Sequence, residues 1–138
     1  MSNYIDLVDV ERELLKAAGW DATTRRLDET TGRESMVVRR LPPTILTTYH
    51  DGGRLLNYPF QVVVRRRSEL ASLSDADEAS MLLDGAEAPS MDGSYEFHRQ
   101  YIYTPPQALG IDEDSFYACE FRVMALIDVK GTRHDQTS

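Results

Sequence analysis

The stretch Tyr117-Ala-Cys-Glu-Phe-Arg-Val-Met-Ala-Leu-Ile-Asp-Val129 decides the fold of this chain. Its odd positions are all apolar, whereas its even positions are mixed and carry all of its charge. Alternation with a period of two predicts a β-strand with one face on a core and the other toward water or a partner. At about 3.3 Å per residue this strand is roughly 43 Å long. A domain of this size is roughly 37 Å across, so the strand crosses the whole domain and suits assembly better than the enclosure of an active site.

A helix is predicted at the beginning of the chain, over residues 4–18. Apolar residues there recur at helical spacing and form one stripe. Asn3 is the predicted N-cap, and Gly19 suits the position just after the last turn.

A second helix is predicted in the middle of the chain. Ser74 can cap its first turn toward Asp77, although the helix can also begin earlier, near Glu69; Gly85 ends it. The residues predicted to face inward are Ala76, Ala79, Leu82 and Leu83, and the earlier start adds Leu70 and Leu73.

Shorter β-strands are predicted between and around the helices. Residues 36–41 form one, which Pro42-Pro43 stops, and residues 44–49 have the β-propensity for a further strand. Asp51-Gly52-Gly53 supplies a turn, and residues 60–67 form the next strand. The predicted core face of that strand is Phe60, Val62 and Val64.

The last third of the chain is predicted to be a β-hairpin. Residues that alternate along its first arm are Tyr95, Phe97, Tyr101 and Tyr103. Residues 105–114 are the predicted loop, and the long strand returns after it. The order α-β-β-α-β-β predicts an α+β fold with a mainly antiparallel sheet, two helices packed on one face and a long C-terminal β-hairpin. We expect one domain over residues 4–130 and a polar, flexible tail over residues 131–138, with a turn-rich stretch at 28–33.

Composition limits the class of partner. The formal net charge is −8 over 138 residues, which disfavours wrapping duplex DNA but lets DNA pass without sticking. No apolar run approaches the roughly eighteen residues of a membrane span, and the N-terminus does not look like a secretory signal. Cys119 is the only cysteine, so a disulfide framework is excluded and Cys119 is interpreted as a small core hydrophobe.

No linear motif for catalysis, a cofactor or a metal is found. His50, His98 and His134 are scattered and are not grouped with Cys119 at metal-ligand spacing; His98 is interpreted as a solvated side chain. The acidic loop Asp112-Glu113-Asp114 is out of register with a calcium-binding loop and is interpreted as a solvated hairpin loop. We therefore expect a protein that is not an enzyme and has no cofactor.

The densest basic cluster is Arg65-Arg66-Arg67, joined by Arg39-Arg40 on another strand. Alternation sends two side chains of the first cluster to one face and one to the other. These arginines either pair with acidic neighbours at a strand end or contact acidic patches on a neighbouring subunit. The candidate subunit-interface residues are Arg65, Arg66, Arg67, Arg122, Asp112 and Glu113.

The ordered sequence features resemble a known family. They are an N-terminal amphipathic helix, Leu41-Pro42, Asp51-Gly52-Gly53, Phe60-Gln-Val-Val-Val-Arg65, a helix ending in Leu82-Leu83, Thr104-Pro105-Pro106, Gly110-Ile-Asp112-Glu113 and a closing strand with Phe121. Over most of residues 4–129 this resembles the minor capsid or tail terminator (tail completion) proteins of long-tailed bacteriophages. The acidic linker at 84–93 and the polar extension after Val129 depart from that pattern.

The resemblance implies a structural virion protein, made in the host cytoplasm. It implies a homohexameric ring that caps the tail tube and meets the head-side connector or stopper protein, with DNA passing through the lumen and no membrane partner. A head-completion or connector protein of the neck is the alternative within the same class. A standalone cytoplasmic α+β domain that binds a small ligand or performs a hydrolysis is the alternative from another class.

Overall fold

The computed structural model describes residues 4–24 and 33–131 of the chain. Its helices are α1 (Leu7–Ala17) and α2 (Glu69–Leu83), and its strands are β1 (Ala22–Thr23), β2 (Ser35–Arg40), β3 (Thr44–Thr48), β4 (Arg54–Arg66), β5 (Glu96–Ile111) and β6 (Tyr117–Val129). The predictions for Asn3, for His134, for most of the turn-rich stretch and for the tail after residue 131 lie outside the described residues.

The described strands form one sheet in the order β1-β2-β4-β6-β5. β6 pairs with β4 along the full length of both strands, so β2 and β3 share the opposite edge of β4. Only the short β1–β2 pair is parallel among these pairings. Both helices contribute to a core on one face of the sheet. The predicted α+β class, the mainly antiparallel sheet and the helices on one face are confirmed.

The alternation in β6 organises that core. Its odd-numbered residues from Cys119 to Ile127 are completely buried against the helices. The predicted core face of β4 is confirmed in the same way, since Phe60, Val62 and Val64 are completely buried. β4 begins six residues before the predicted start, at Arg54, and therefore matches β6 in length. The hairpin consequently does not project beyond its neighbour in the sheet.

Helix α1 begins at Leu7, three residues later than predicted. The reason is Asp6, whose carboxylate accepts hydrogen bonds from the backbone N–H groups of Met91 and Asp92 at 3.0 and 3.2 Å. These contacts hold Asp6 to a loop that precedes β5, outside helical geometry. The predicted end is confirmed, because Gly19 follows the helix with a positive φ of 100°.

Helix α2 begins at Glu69, so the earlier of the two predicted starts is right and a cap at Ser74 is wrong. The N-cap is Ser68, whose Oγ accepts the N–H of Ala71 at 3.2 Å. The helix rests on its small residues, which allows a close approach to the sheet; the buried ones are Ser72, Ala76, Ala79 and Ser80. Leu70 and Leu82 are exposed, so their predicted inward orientation is wrong.

Strand β5 continues to Ile111, so the predicted loop at 105–114 is too long and the connection to β6 spans only residues 112–116. Pro105 and Pro106 fit within this strand for two reasons: it is the outer strand of the described sheet, and they fall at a bulge between Thr104 and Gln107 where neither has a register partner in β6. β-Bulges interrupt its pairing with β6 at several points, beginning between Phe97 and Arg99.

The first bulge exchanges the two faces of β5. Phe97 packs against the core, but after the extra residue the buried position passes to Gln100. Tyr101 and Tyr103 are consequently exposed, Tyr101 by 45%. The alternation of the aromatic residues in this arm thus does not describe one face, because a one-residue insertion moves every later side chain to the other side.

A buried polar pair lies where α1, α2 and β5 meet. Gln100 Nε2 donates to Glu11 Oε1 at 3.2 Å and to the carbonyl oxygen of Leu83 at 2.8 Å. Glu11 Oε2 and Gln100 Oε1 have no hydrogen-bond partner among the described residues. Burial raises the pKa of Glu11 to about 8, although the hydrogen bond from Gln100 opposes the rise. Glu11 is therefore largely protonated at neutral pH.

Candidate assembly surface

The outer face is the side of the sheet opposite α1 and α2. Cross-strand register places Pro59, Met124 and Tyr101 side by side as an apolar row across β4, β6 and β5. The next row toward the hairpin turn contains Gln61 and Arg122. Pro59 is buried, Met124 is partly exposed and Tyr101 is exposed. Since no described helix packs on this face, the accessible part of the row at Met124 and Tyr101 has the character of a contact surface.

Helix α2 also presents apolar residues to the outside. Leu70 and Met81, eleven residues apart and hence on one side of the helix, are 77% and 76% exposed. The helix thus buries mainly small side chains, together with Leu83, and exposes several of its large ones, unlike an ordinary surface helix. Strand β3 also exposes large apolar side chains, those of Ile45 and Leu46. Exposed apolar groups of this kind are typical of surfaces that contact another protein.

Glu120 organises the polar part of the outer face and is 3% exposed. Its Oε1 accepts Nε2 of Gln61 at 2.5 Å and Nε of Arg122 at 3.0 Å, and its Oε2 accepts Nε2 of Gln107 at 2.8 Å. Desolvation would raise the pKa of Glu120, but the hydrogen bonds from Arg122, Gln61 and Gln107 outweigh it and lower that pKa. The cluster links β4, β5 and β6, and the negative charge of Glu120 within it is paired with Arg122.

Arg65 and Asp112 join the end of β4 to the hairpin loop. Nη2 and Nε of Arg65 donate to Asp112 Oδ2 at 2.7 and 3.0 Å. Asp112 Oδ1 accepts the N–H groups of Asp114 and Phe116 at 2.9 and 3.0 Å, which shapes the loop. The Arg65 guanidinium also lies over the Phe116 ring, 4.9 Å from its centroid. Both predicted site residues therefore have partners inside the chain.

Arg66 points to the opposite face, as alternation predicts. Its Nη2 donates to Asp21 Oδ1 at 2.9 Å and its Nε to Asp75 Oδ2 at 2.7 Å. Burial opposes the charge of Arg66, yet these hydrogen bonds outweigh it and raise the pKa of the guanidinium. Arg66 thus connects β4 to α2 and to the segment before β1. For Arg65 and Arg66, pairing with acidic neighbours describes the observed contacts, and contact with another subunit stays a prediction.

The remaining candidate residues are more accessible. Arg67 is exposed and lies over the Phe116 ring, 4.6 Å from its centroid. Glu113 is exposed in the hairpin loop. Arg122 is half-exposed beside Glu120. The structure brings Arg65, Arg67 and Asp112 together at the hairpin turn, while Arg122 lies in the polar part of the outer face.

The sequence interpretation missed one cluster of potential ligands. Glu96, His98 and Asp128 offer ligand atoms that all lie within 4.8 Å of one another. His98 is exposed, as expected, but its Nε2 lies 2.7 Å from Asp128 Oδ2. Desolvation of Asp128 is outweighed by the hydrogen bonds of His98 and Tyr49, which lower its pKa. The sequence holds no signal for this cluster, because it depends on strand register and on a bulge.

Cys119 has the character of a core residue. The thiol is buried on the inner side of β6, and desolvation raises its pKa to about 11. A thiol of this kind is protonated at neutral pH and is a poor nucleophile. The interpretation of Cys119 as a core hydrophobe is confirmed.

Comparison with known proteins gives one structural likeness to report. The chain is similar to a chain in the solved structure "Virion of native gene transfer agent (GTA) particle", with 13% sequence identity and a TM-score of 0.50. The alignment covers 83% of this chain and 84% of that chain. At this level of identity the likeness shows a shared fold. No protein-family model and no curated protein matches the chain, and none of the described helices is long and apolar enough to cross a membrane.

Proposed function

We propose that this chain is a structural protein of a phage-like virion and, more specifically, a tail terminator subunit. The observation that carries the proposal is the shared fold with a chain of a gene transfer agent virion, over 83% of this chain and 84% of the other. The resemblance to tail terminator proteins rests on sequence features alone and points to the same class of particle. One indication comes from the fold and the other from the sequence, so together they support the proposal better than either does alone.

In this proposal the protein acts in a ring of six copies. Head-to-tail contacts that close by rotation generate such a ring. The apolar row on the outer face and the exposed stripe of α2 lie on opposite sides of the sheet. A subunit with contact surfaces on two different sides is suited to heterologous contacts of this kind.

The ring would cap the tail tube after elongation and present its other side to the head-side connector or stopper protein. A net charge of −8 per copy favours a lumen through which DNA passes without specific binding, since phosphates are repelled by an anionic wall. The role is structural and not enzymatic, and it places the protein in the tail or neck of the virion.

Co-expression with the tail-tube protein of the same particle tests the proposal. We expect electron microscopy to show tubes of limited length with a ring at one end, and longer, uncapped tubes when this chain is omitted. Binding to the portal in place of the tube would favour the head-completion alternative. Tubes of equal length with and without the chain, and no ring at their ends, would contradict the terminator role.

A further inference from the structure

Three side chains that can bind a metal ion meet at the open end of the β5–β6 hairpin. Glu96 and His98 belong to β5, and Asp128 belongs to β6. Their ligand atoms lie within 4.8 Å of one another, and His98 Nε2 lies 2.7 Å from Asp128 Oδ2. Small rotations of the three side chains would place each ligand atom roughly 2.0–2.2 Å from one shared ion, the distance at which nitrogen and oxygen ligands bind zinc.

The backbone builds this arrangement through register and a bulge. Glu96 is the direct cross-strand partner of Asp128, so their side chains project to the same face. The bulge between Phe97 and Arg99 sets His98 as the extra residue of β5. Bulges commonly redirect a side chain next to a functional site, and here the ring nitrogen comes to the carboxylate of Asp128.

A second layer of contacts fixes Asp128. Tyr49 Oη donates to Asp128 Oδ1 at 2.8 Å, which leaves Oδ2 directed toward His98. Tyr49 is held in turn, because its N–H donates to the Gly53 carbonyl oxygen at 2.7 Å. The turn that follows Tyr49 lies against the end of β6 so closely that a Cβ at Gly131 would be 2.2 Å from the Asp51 carbonyl oxygen. In metal sites, a carboxylate that binds the ion is usually held in place by a hydrogen bond from a neighbouring group.

The space beside the cluster is open and acidic. A cavity of about 630 Å³ is lined by Glu96 and Asp128 and also by Asp51, Glu87 and Lys130. The four carboxylates outnumber the one ammonium group, so the cavity favours a cation. The cavity leaves room for water molecules or a further ligand to complete the coordination of an ion held by three side chains.

We propose that Glu96, His98 and Asp128 bind one divalent transition-metal ion. An imidazole nitrogen with two carboxylate oxygens suits zinc and related ions, whereas magnesium and calcium prefer oxygen ligands alone. The ion would replace the contact between His98 and Asp128 with bonds from both to itself. It would thereby clamp the beginning of β5 to the end of β6. The proposal does not depend on the function proposed above.

Calorimetric titration of ZnCl2 into the full-length, metal-stripped protein near neutral pH tests the site, with MgCl2 titrated in parallel. We expect one zinc ion per chain and no comparable binding of magnesium. His98→Ala should weaken zinc binding by well over tenfold, and Tyr49→Phe, which removes only the supporting hydroxyl, by about tenfold. Zinc should also raise the melting temperature of the unsubstituted protein but not that of the His98→Ala variant.

Two further variants make the outcome decisive. Glu96→Gln keeps the size of the side chain, so it tests the site even if His98→Ala disturbs the fold. His50→Ala is the matched control, because His50 is an exposed histidine outside the cluster, and it should bind zinc like the unsubstituted protein. The proposal is overturned if the unsubstituted protein does not bind zinc, or if binding survives unchanged in both His98→Ala and Glu96→Gln.

Discussion

Glu11 on α1 and Gln100 on β5 face each other in the core, each with one oxygen that has no hydrogen-bond partner among the described residues. A proton on Glu11 turns one of its two buried acceptor oxygens into a donor and removes a charge from a position with 0% exposure. The pair is therefore better matched when Glu11 is neutral. This relationship makes the stability of the fold depend on pH.

We predict that Glu11→Gln stabilises the protein in mildly alkaline solution. The pKa of Glu11 rises from its ordinary value of 4.5 to about 8 in the folded state. Between these values the folded state holds a proton that the unfolded state has lost, so stability falls as pH rises through this window and levels off above it. Glutamine cannot ionise, so the substitution should remove this fall. Above pH 8 we expect the free energy of unfolding to increase by on the order of 3 kcal/mol.

Urea unfolding at several pH values measures this effect. The curves of the two proteins should approach each other at the acid end of the window and separate toward pH 8. Glu13→Gln is the control, since Glu13 lies on the same helix but is exposed. Parallel curves for Glu11→Gln and the unsubstituted protein would show that Glu11 does not titrate in this window.

The two sides of the sheet should respond differently to a new charge. Phe121→Asp places an unpaired carboxylate in the core, at a position with 0% exposure, and should unfold the protein. Tyr101→Asp changes the exposed outer face and should leave a cooperative thermal transition while weakening assembly. Circular dichroism melts distinguish the two. Equal loss of structure in both variants would refute the assignment of faces.

Arg66 and Arg67 are adjacent but should differ in their contribution to stability. Arg66→Ala removes hydrogen bonds to Asp21 and Asp75 and leaves a gap in a buried position. We expect the free energy of unfolding to fall by about 2–3 kcal/mol. This is low for a broken buried ion pair, because both aspartates remain partly solvated. Arg67→Ala, at an exposed position, should cost less than about 1 kcal/mol. Chemical denaturation compares them, and equal losses would contradict the structural role of Arg66.

The start of α2 gives a further comparison within one helix. Ser68→Ala removes the hydroxyl that accepts the Ala71 N–H and should cost about 1 kcal/mol. Ser74→Ala alters an exposed position inside the helix and should be neutral or slightly stabilising, because alanine has the higher helix propensity. The free energy of unfolding decides between them. A larger loss of stability for Ser74→Ala than for Ser68→Ala would show that Ser74 is the N-cap.

These contrasts show what sequence patterns can predict here. The β6 strand was predictable to the residue, because strict alternation over its length has no other simple explanation. The positions of Phe60, Val62 and Val64 followed from the same rule. Helix α2 was harder, since its buried stripe consists of Ser and Ala with Leu83 at its end. Hydrophobicity then pointed to Leu70 and Leu82, which the structure exposes.

Strand β5 and the cluster of Glu96, His98 and Asp128 depend on long-range pairing. Two adjacent prolines normally end a strand, and the outer position of β5 together with the bulge between Thr104 and Gln107 explains the place of Pro105 and Pro106 inside one. The bulge after Phe97 moves Tyr101 to the outer face, and no local pattern indicates it. His98 and Asp128 are thirty residues apart in the chain, so their contact also required the hairpin register.

Electron cryo-microscopy of tailed particles purified from cells that produce this chain tests the proposed role most directly. We predict six copies in one ring at the head-proximal end of the tail tube, with the sheet and helices described above fitting the density of each copy. Density for the chain at another position in the particle, a ring with a different number of copies, or its absence from purified particles would contradict the assignment.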